Sequence, residues 1–246
     1  MTDTAREAEP SLATIREQYQ RLLQRVEANE REFRRLGRAV WRVQEDERRR
    51  LARELHDGLG QNLTALKHRL AQLGSELAPE QVGLREKLET AIGLCTEALD
   101  DTRNLSRLLR PPILDDLGLE PALRWLARSI EEAVGMTVVV EIEPMPVLDG
   151  ELQTLLFRVA QEGLNNAGKH AAAGSVLLRL VERERQLQLQ VIDDGRGFDA
   201  DAVAGAGGSG LGSMRERLRL YGGRLELRSS PGHGTRLRAT VPLDAG

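Results

Sequence analysis

The sequence predicts a multidomain fold: an N-terminal coiled coil, a helical hairpin that pairs with a second copy as a dimeric four-helix bundle, and then an α+β two-layer sandwich. Three features of the pattern carry that reading. Apolar residues first recur at alternating steps of four and three, the spacing of a coiled-coil seam. They then follow helical spacing on two stretches joined by a short Pro-containing linker, as an antiparallel hairpin requires. From Thr137 onward the period changes, and short runs rich in Val, Ile and Leu alternate with helical patterns.

Residues 1–10 read as a disordered tail and residues 11–45 as the coil. From Ile15 the seam passes through Tyr19, Leu22, Val26, Asn29, Phe33, Leu36, Val40 and Val43, flanked by Glu, Arg and Gln. Asn29 at a seam position is the sort of buried amide that sets register in a two-stranded coil, at a cost in stability. Glu47 and Arg50 stand where apolar residues were due, and the repeat resumes in shifted phase at Leu51. Such a break locally alters supercoiling. It reads either as a place where rotation or register passes to the next helix, or as an imperfection before a wider bundle.

Residues 46–112 read as the hairpin. On its first helix Leu51, Leu55, Leu59, Leu63, Leu66, Leu70 and Leu73 form one stripe expected to be buried. The second carries Leu84, Leu88, Ile92, Cys95, Leu99, Thr102, Leu105 and Leu109, with Leu77-Ala78-Pro79-Glu80 between them. Pro111-Pro112 ends it. Residues 113–246 read as the sandwich. A helix around Glu120 to Val134 precedes a strand at Thr137 to Ile142, a helix at Glu151 to His170 and strands at Ser175 to Val181 and Leu187 to Ile192. A helix at Met214 to Tyr221, closed by Gly222-Gly223, leads to strands near Arg224 to Ser229 and Gly234 to Val241. Residues 201–210, rich in Ala and Gly, read as a mobile loop.

Composition excludes several classes. The net charge of −3 on 246 residues is near balance, so nothing draws the chain to nucleic acid or an anionic membrane. Arg48 to Arg50 read as a solvated helix face. The single cysteine, Cys95, excludes an intramolecular disulfide or a multi-cysteine metal site. Its place in a periodic run favours packing over a redox role. No apolar run approaches the roughly 18 residues of a membrane span, and the N-terminus lacks an apolar signal core. A cytoplasmic protein is expected. Residues before Glu45 are too few for a ligand pocket of usual size. The stimulus is therefore expected from a separate sensory partner or from the rest of a longer sensor.

The segment Glu54-Leu55-His56-Asp57-Gly58-Leu59-Gly60-Gln61 stands out within the first hairpin helix. His56 lies about 100° around the helix from Leu55, at the edge of the leucine stripe. Two glycines inside a helix cost roughly 1 kcal/mol each relative to Ala. Gly60, one turn on, leaves open space beside the imidazole, as the approach of something large would need. Alone, His56 reads as a surface histidine. The same chain carries, in order, Gln161-Glu162-Gly163-Leu164-Asn165-Asn166-Ala167-Gly168-Lys169-His170, Asp193-Asp194-Gly195-Arg196-Gly197-Phe198 and Gly208-Ser209-Gly210-Leu211-Gly212-Ser213-Met214. That ordered set resembles the two-component sensor histidine kinases, in the subfamily typified by nitrate/nitrite sensors, over roughly Glu45 to Leu243.

None of the three lysines fits a P-loop. Gly205 to Gly210 matches Gly-x-Gly-x-x-Gly but follows no predicted strand, against a dinucleotide fold. The pattern instead resembles the ATP-binding domain of histidine kinases, DNA gyrase, a heat-shock chaperone family and a mismatch-repair family. Glu162 and Asn166 are i and i+4, hence on one helix face; Lys169, i+3 from Asn166, is expected on that face too. The resemblance makes Asn166 the ligand of Mg²⁺, Glu162 the residue that orders a metal-bound or attacking species, and Lys169 a phosphate contact. A capping role for Asn165-Asn166 is disfavoured by their mid-helix position. Asp193, otherwise an ordinary turn residue, becomes the acceptor for the adenine amino group, with Gly195 and Gly197 letting backbone approach the base. Gly208, Gly210, Leu211 and Gly212 resemble the glycine box over the phosphates, although Ser213 stands where many relatives carry Gly. Thr235 resembles the family's hydroxyl near phosphate. His170 is either a helix C-terminal cation or a ribose or phosphate contact.

The resemblance implies that neutral His56 attacks the γ-phosphate of Mg-ATP. Asp57 orients or deprotonates the imidazole, or serves the partner protein. Asp57 and Gln61 match the subfamily's Asp-x-x-x-Gln phosphatase motif, with Gln61 positioning water. Arg53 steadies phosphate or is simply solvated. The implied partners are a second copy of the chain and a response regulator, usually one with a helix-turn-helix DNA-binding domain. A serine/threonine kinase of the anti-sigma type or a conformational ATPase would share the nucleotide domain without needing the His56 box. A silent coiled-coil adaptor would need neither.

Overall fold

A computed structural model of the chain describes residues 12–199 and 209–243. The expected tail at residues 1–10, Gly208 and most of the expected loop at 201–210 lie outside the described residues. Helix α1 (Leu12–Arg53) passes through a π-helical segment (Glu54–Gly60) into α2 (Gln61–Glu76). The junction residues Arg53 and Gly60 both keep right-handed helical backbone, so the rod is continuous. Helix α3 (Val82–Leu109) folds back along α2, the π segment and the end of α1, and the buried Ser106 hydroxyl donates to the Ala52 carbonyl at 3.0 Å.

The leucine stripe is not buried within one chain. Leu59, Leu66 and Leu73 are 51%, 46% and 53% exposed, while Leu99 on α3 is buried. Two helices cover only the strip along which they touch; the remainder of a bundle stripe needs a second pair of helices. The coil seam is likewise open, with Tyr19, Leu22, Val26, Phe33, Leu36, Val40 and Val43 all exposed.

Pro112 starts a short helix, α4 (Pro112–Asp116), at a position where its missing N–H is harmless. Helix α5 (Leu119–Val134) ends on Gly135 in left-handed backbone. Strand β1 (Thr137–Ile142) follows, then α6 (Gly150–Asn166), capped by the Asp149 carboxylate accepting from Leu152 N at 2.8 Å. A second π segment (Ala167–Ala171) extends α6. Strands β2 (Ser175–Arg183) and β3 (Gln186–Asp193) meet at Glu184 and Arg185, whose φ values of 52° and 59° suit a type I′ hairpin turn. Neither residue is Gly, so the turn stores roughly 1–2 kcal/mol per residue of backbone strain. Helix α7 (Ser209–Leu220), β4 (Arg224–Ser229) and β5 (Thr235–Pro242) complete the domain. Helix α7 begins about a turn earlier than its apolar pattern predicts.

The sheet order is β1-β2-β3-β5-β4, parallel between β1 and β2 and antiparallel elsewhere. Alternate residues Leu178, Leu180, Leu187, Leu189 and Val191 face α5, α6 and α7 across one core. One member of that core was not foreseen: Trp41 of the coil, 5% exposed, joins it from outside the domain. Among the described residues no helix is long and apolar enough to cross a membrane.

Candidate functional site

A cavity of about 440 Å³ opens between α6, its π extension, the start of α7 and the ends of β3 and β5. Glu162, Asn166, His170, Asp193, Gly197, Gly210, Leu211 and Thr235 line it. Polar groups stand among apolar walls formed by Ala167, Val191, Leu227 and Leu237.

Register explains how Asp193 is held. It pairs with Thr235 across β3 and β5, and its Oδ1 accepts from Thr235 N at 3.2 Å and Gly195 N at 3.0 Å. Oδ2 is thereby left for a donor in the cavity. The neighbouring Asp194 points elsewhere, as alternation along a strand requires: it accepts from Gly174 N, Ser175 N and the Ser175 hydroxyl at 2.8–3.0 Å. Those donors, the Ser175 backbone first, hold the Asp194 carboxyl below the usual carboxylate range.

The glycines after Asp193 do a different job from the one expected. Gly195 does not line the cavity; a Cβ there would collide with the Ala171 carbonyl. Gly197, at φ +59°, lines the cavity while its Cα packs on the Ser230 carbonyl. Both let one backbone segment nest against another behind Asp193.

Glu162 and Asn166 share a helix face, with Asn166 Nδ2 3.4 Å from Glu162 Oε1. Gly210 at the start of α7 packs so closely on the Glu162 carboxylate that a Cβ would collide with it. The expected alignment of Lys169 does not hold: it is exposed and does not line the cavity, whereas His170 does. The π segment is the cause. Its wider turn, with i to i+5 hydrogen bonds, brings residue i+4 rather than i+3 back to the Asn166 side. Gly212 does not line the cavity either. Among the described residues no three or more His, Cys, Asp or Glu converge as a metal cage. A Mg²⁺ shared between Asn166 and phosphate fits such a site, because that ion keeps waters and phosphate ligands.

A second opening, about 430 Å³, lies beside the hairpin. It is lined by His56, Gly60 and Gln61, by Thr64, Ala65 and His68 of α2, and by Leu99, Thr102 and Arg103 of α3. His56 is exposed, and a Cβ added at Gly60 would meet only Leu55 O, at 3.6 Å. Asp57 and Arg53 are exposed and do not line the groove. His68 and Arg103 were missed from the sequence; His68 lies twelve residues from His56, and no motif spacing flags it. The groove and the cavity share no residue. His56 and His170 each sit in a π segment, a form that recurs at functional sites.

Comparison with known proteins falls on these same segments. Residues 47–114 match the histidine kinase family, and residues 151–245 match the histidine kinase-, DNA gyrase B- and HSP90-like ATPase family. The sensor histidine kinase MctS of Rhizobium johnstonii is 36% identical over 146 residues, which are 59% of this chain and 32% of that protein. The chain therefore spans about a third of that relative's length. Among solved structures, the histidine kinase domain of the Erythrobacter litoralis blue-light activated histidine kinase aligns with a TM-score of 0.48 and 23% identity, covering 74% of this chain and 94% of that one. The Acinetobacter baumannii histidine kinase AdeS aligns with a TM-score of 0.43 and 12% identity, covering 75% and 96%. The first family match takes in the His56 hairpin and the second the whole cavity, in the order the motifs occur: the chain belongs to the two-component histidine kinases, in the nitrate/nitrite-sensor-like subfamily.

Proposed function

We propose that the chain is an ATP-dependent protein-histidine kinase that phosphorylates His56 and passes the phosphoryl group to an Asp of a response regulator. The observation that carries this reading is the pairing, in one chain, of an exposed imidazole beside a groove with a separate cavity holding a half-satisfied carboxylate, Asp193. Asp193 Oδ2 accepts the adenine amino group, and Val191, Leu227 and Leu237 flank the base. Asn166 Oδ1 would hold Mg²⁺, and the ion would supply charge neutralisation beside the phosphates. Glu162 orders the attacking species; His170 and Thr235 contact ribose or phosphate, with Gly208, Gly210, Leu211 and Gly212 closing over it. Lys169 meets phosphate only by leaving its exposed position. Neutral His56 forms the N–P bond as the γ-phosphorus–oxygen bond to ADP breaks, and Asp57 takes up the imidazole proton.

Gln61 lines the same groove as His56. In the reverse activity it positions water against the phospho-Asp of the regulator, with Asp57 beside it. The exposed seam and leucine stripe favour a homodimer as the working unit. The regulator is of the helix-turn-helix DNA-binding type, the stimulus reaches the coil from a sensory partner protein or a further domain, and the reaction runs in the cytoplasm.

The test is phosphorylation by γ-labelled ATP of the intact chain, His56→Gln and Asn166→Ala. Acid-labile label is expected only on the intact chain, with normal ATP binding kept by His56→Gln and lost by Asn166→Ala. Acid-stable label, or label persisting on His56→Gln, refutes the acceptor and turns the reading toward a serine/threonine kinase.

A further inference from the structure

Phosphoryl transfer makes no use of the sheet face turned away from α5, α6 and α7, and the charges on that face are unevenly balanced. Along β4 and β5, Leu227 and Leu237 look into the nucleotide cavity. Alternation therefore puts Glu226, Arg228, Arg236 and Arg238 on the open face. Most arginines there have a carboxylate within reach. Arg179 pairs with Glu141 at 3.4 Å, Arg183 with Glu143 at 2.7 Å, Arg224 with Glu226 at 3.2 Å and Arg238 with the same Glu226 at 3.9 Å. Arg228 and Arg236 break the pattern. Register sets them directly opposite each other across β4 and β5, and among the described residues neither forms an ion pair. Like charges placed directly opposite on neighbouring strands weaken their pairing. The next residue along that row, Ile192 of β3, supplies no counter-charge.

The two arginines border a recess of about 280 Å³, with His233, Ser230 and Ile192 on its other sides. Arg228, His233 and Arg236 are all exposed. The turn that carries His233 is fixed at both ends: Gly232 N donates to the Arg196 carbonyl at 2.6 Å, and His233 N to the Ser230 carbonyl at 3.0 Å. One residue on the recess wall bears a carboxylate, Asp193. It pairs with Thr235, one step along from Arg236, so alternation turns its side chain toward the nucleotide cavity on the other face. Its Oδ1 is in any case taken by Gly195 N and Thr235 N.

We propose that this recess is an oxyanion site for a phosphate group, held between Arg228 and Arg236 with His233 as a further donor. Three physical points lead there. Side chains of directly opposed residues start only about 5 Å apart, so a single anion can accept from both guanidinium groups. Each planar fork matches two phosphate oxygens at once, and a dianion between them turns the repulsion across the strands into attraction. The recess is also smaller than the roughly 300–1,000 Å³ that drug-sized ligands fill, which suits a lone phosphate or a head group and not a nucleotide. The site is separate from the phosphate end of the nucleotide cavity, because Glu162, Asn166 and Gly210 do not border it. It does not depend on the kinase reading.

The test compares the full chain with the double variant Arg228→Gln, Arg236→Gln. Inorganic phosphate is the probe, against chloride at matched ionic strength, with ADP saturating the nucleotide cavity. At about ten times its dissociation constant, phosphate is expected to raise the thermal midpoint of the parent about 3 °C more than that of the variant. The variant's own shift subtracts the general stabilisation by an excluded anion. Calorimetry should show saturable phosphate binding to the parent and affinity at least about tenfold weaker in the variant. Equal shifts in the two chains, or no saturable binding, overturn the site. Without phosphate the variant should unfold no lower than the parent, since the repulsion is gone; a lower midpoint marks the arginines as structural and counts against the proposal. Vesicles of phosphatidylcholine with phosphatidic acid separate the sources. Pelleting of the parent but not the variant supports a lipid head group, free phosphate binding without pelleting supports a soluble phosphate, and the absence of both overturns the site. If neither chain binds ADP, the nucleotide reading fails, and the difference between parent and variant still decides the anion site.

Discussion

The sandwich finishes its core within one chain, whereas the helical stalk does not. Leu155, Leu156, Phe157 and Leu189 are fully buried in the sandwich, while Leu59, Leu66 and Leu73 of the stalk stay about half exposed. A sheet with helices laid on one face closes on itself; two helices side by side do not. One region closes its core within the chain, with Trp41 of α1 among its members, and the other is complete only in company. The difference suits their proposed duties. A nucleotide cavity needs fixed walls, and a phosphoacceptor helix has to meet several visitors in turn.

Substitution should break that contrast most sharply in the core. Phe157→Ala is expected to lower sandwich stability by about 3–5 kcal/mol, read as a fall in the urea midpoint, with the stalk's self-association unchanged. A comparable loss from Leu66→Ala at micromolar protein would contradict the contrast. Asp193→Asn comes next: it replaces an acceptor aimed into the cavity with an amide, and nucleotide affinity should fall by about 2–3 kcal/mol by calorimetry while the fold is kept. Leu59→Lys belongs to the other side. It should weaken stalk self-association and so lower the thermal midpoint of the stalk below the parent's at each protein concentration, checked by circular dichroism across a dilution series, and leave ADP binding intact.

The smallest effect is one of pH. Asp194 has its carboxyl held low by the Ser175 and Gly174 donors. Its contribution to sandwich stability is therefore complete above the ordinary carboxylate value of about 3.9 and disappears as pH falls through the lowered folded value. The group is exposed, so the change is slight. Unfolding midpoints measured down an acid series should fall less steeply for Asp194→Asn than for the parent chain.

Much of this architecture was legible in the residues. The limits of β1 and β4 follow from their β-rich runs and the Gly residues beside them. The hairpin linker follows from Pro79, and the approximate course of α6 from its apolar spacing. Of the expected cavity residues, Glu162, Asn166, His170, Asp193, Gly197, Gly210, Leu211 and Thr235 come together. Lys169, Gly195 and Gly212 do not line it, and Gly208 lies outside the described residues. Lys169 turns away because the chain widens into a π segment where ideal helix spacing puts it beside Asn166, and nothing in Ala167-Gly168-Lys169-His170-Ala171 announces that. The packing of Gly195 is not legible in the sequence because its partner, the Ala171 carbonyl, is remote along the chain.

Periodicity, Pro and Gly positions and the order of the four boxes determined which segments are helix or strand and to which family the chain belongs. These are matters of neighbours along the chain, where spacing of three, four or two residues sets which side chains share a face. Only the tertiary structure decided that Trp41 and Glu45 of a coil would dock on a domain more than a hundred residues away, and that His170 rather than Lys169 would line the cavity. A helix offers several faces of nearly equal local stability. Which of them is covered depends on a distant surface of matching shape and charge, and no local pattern carries that information.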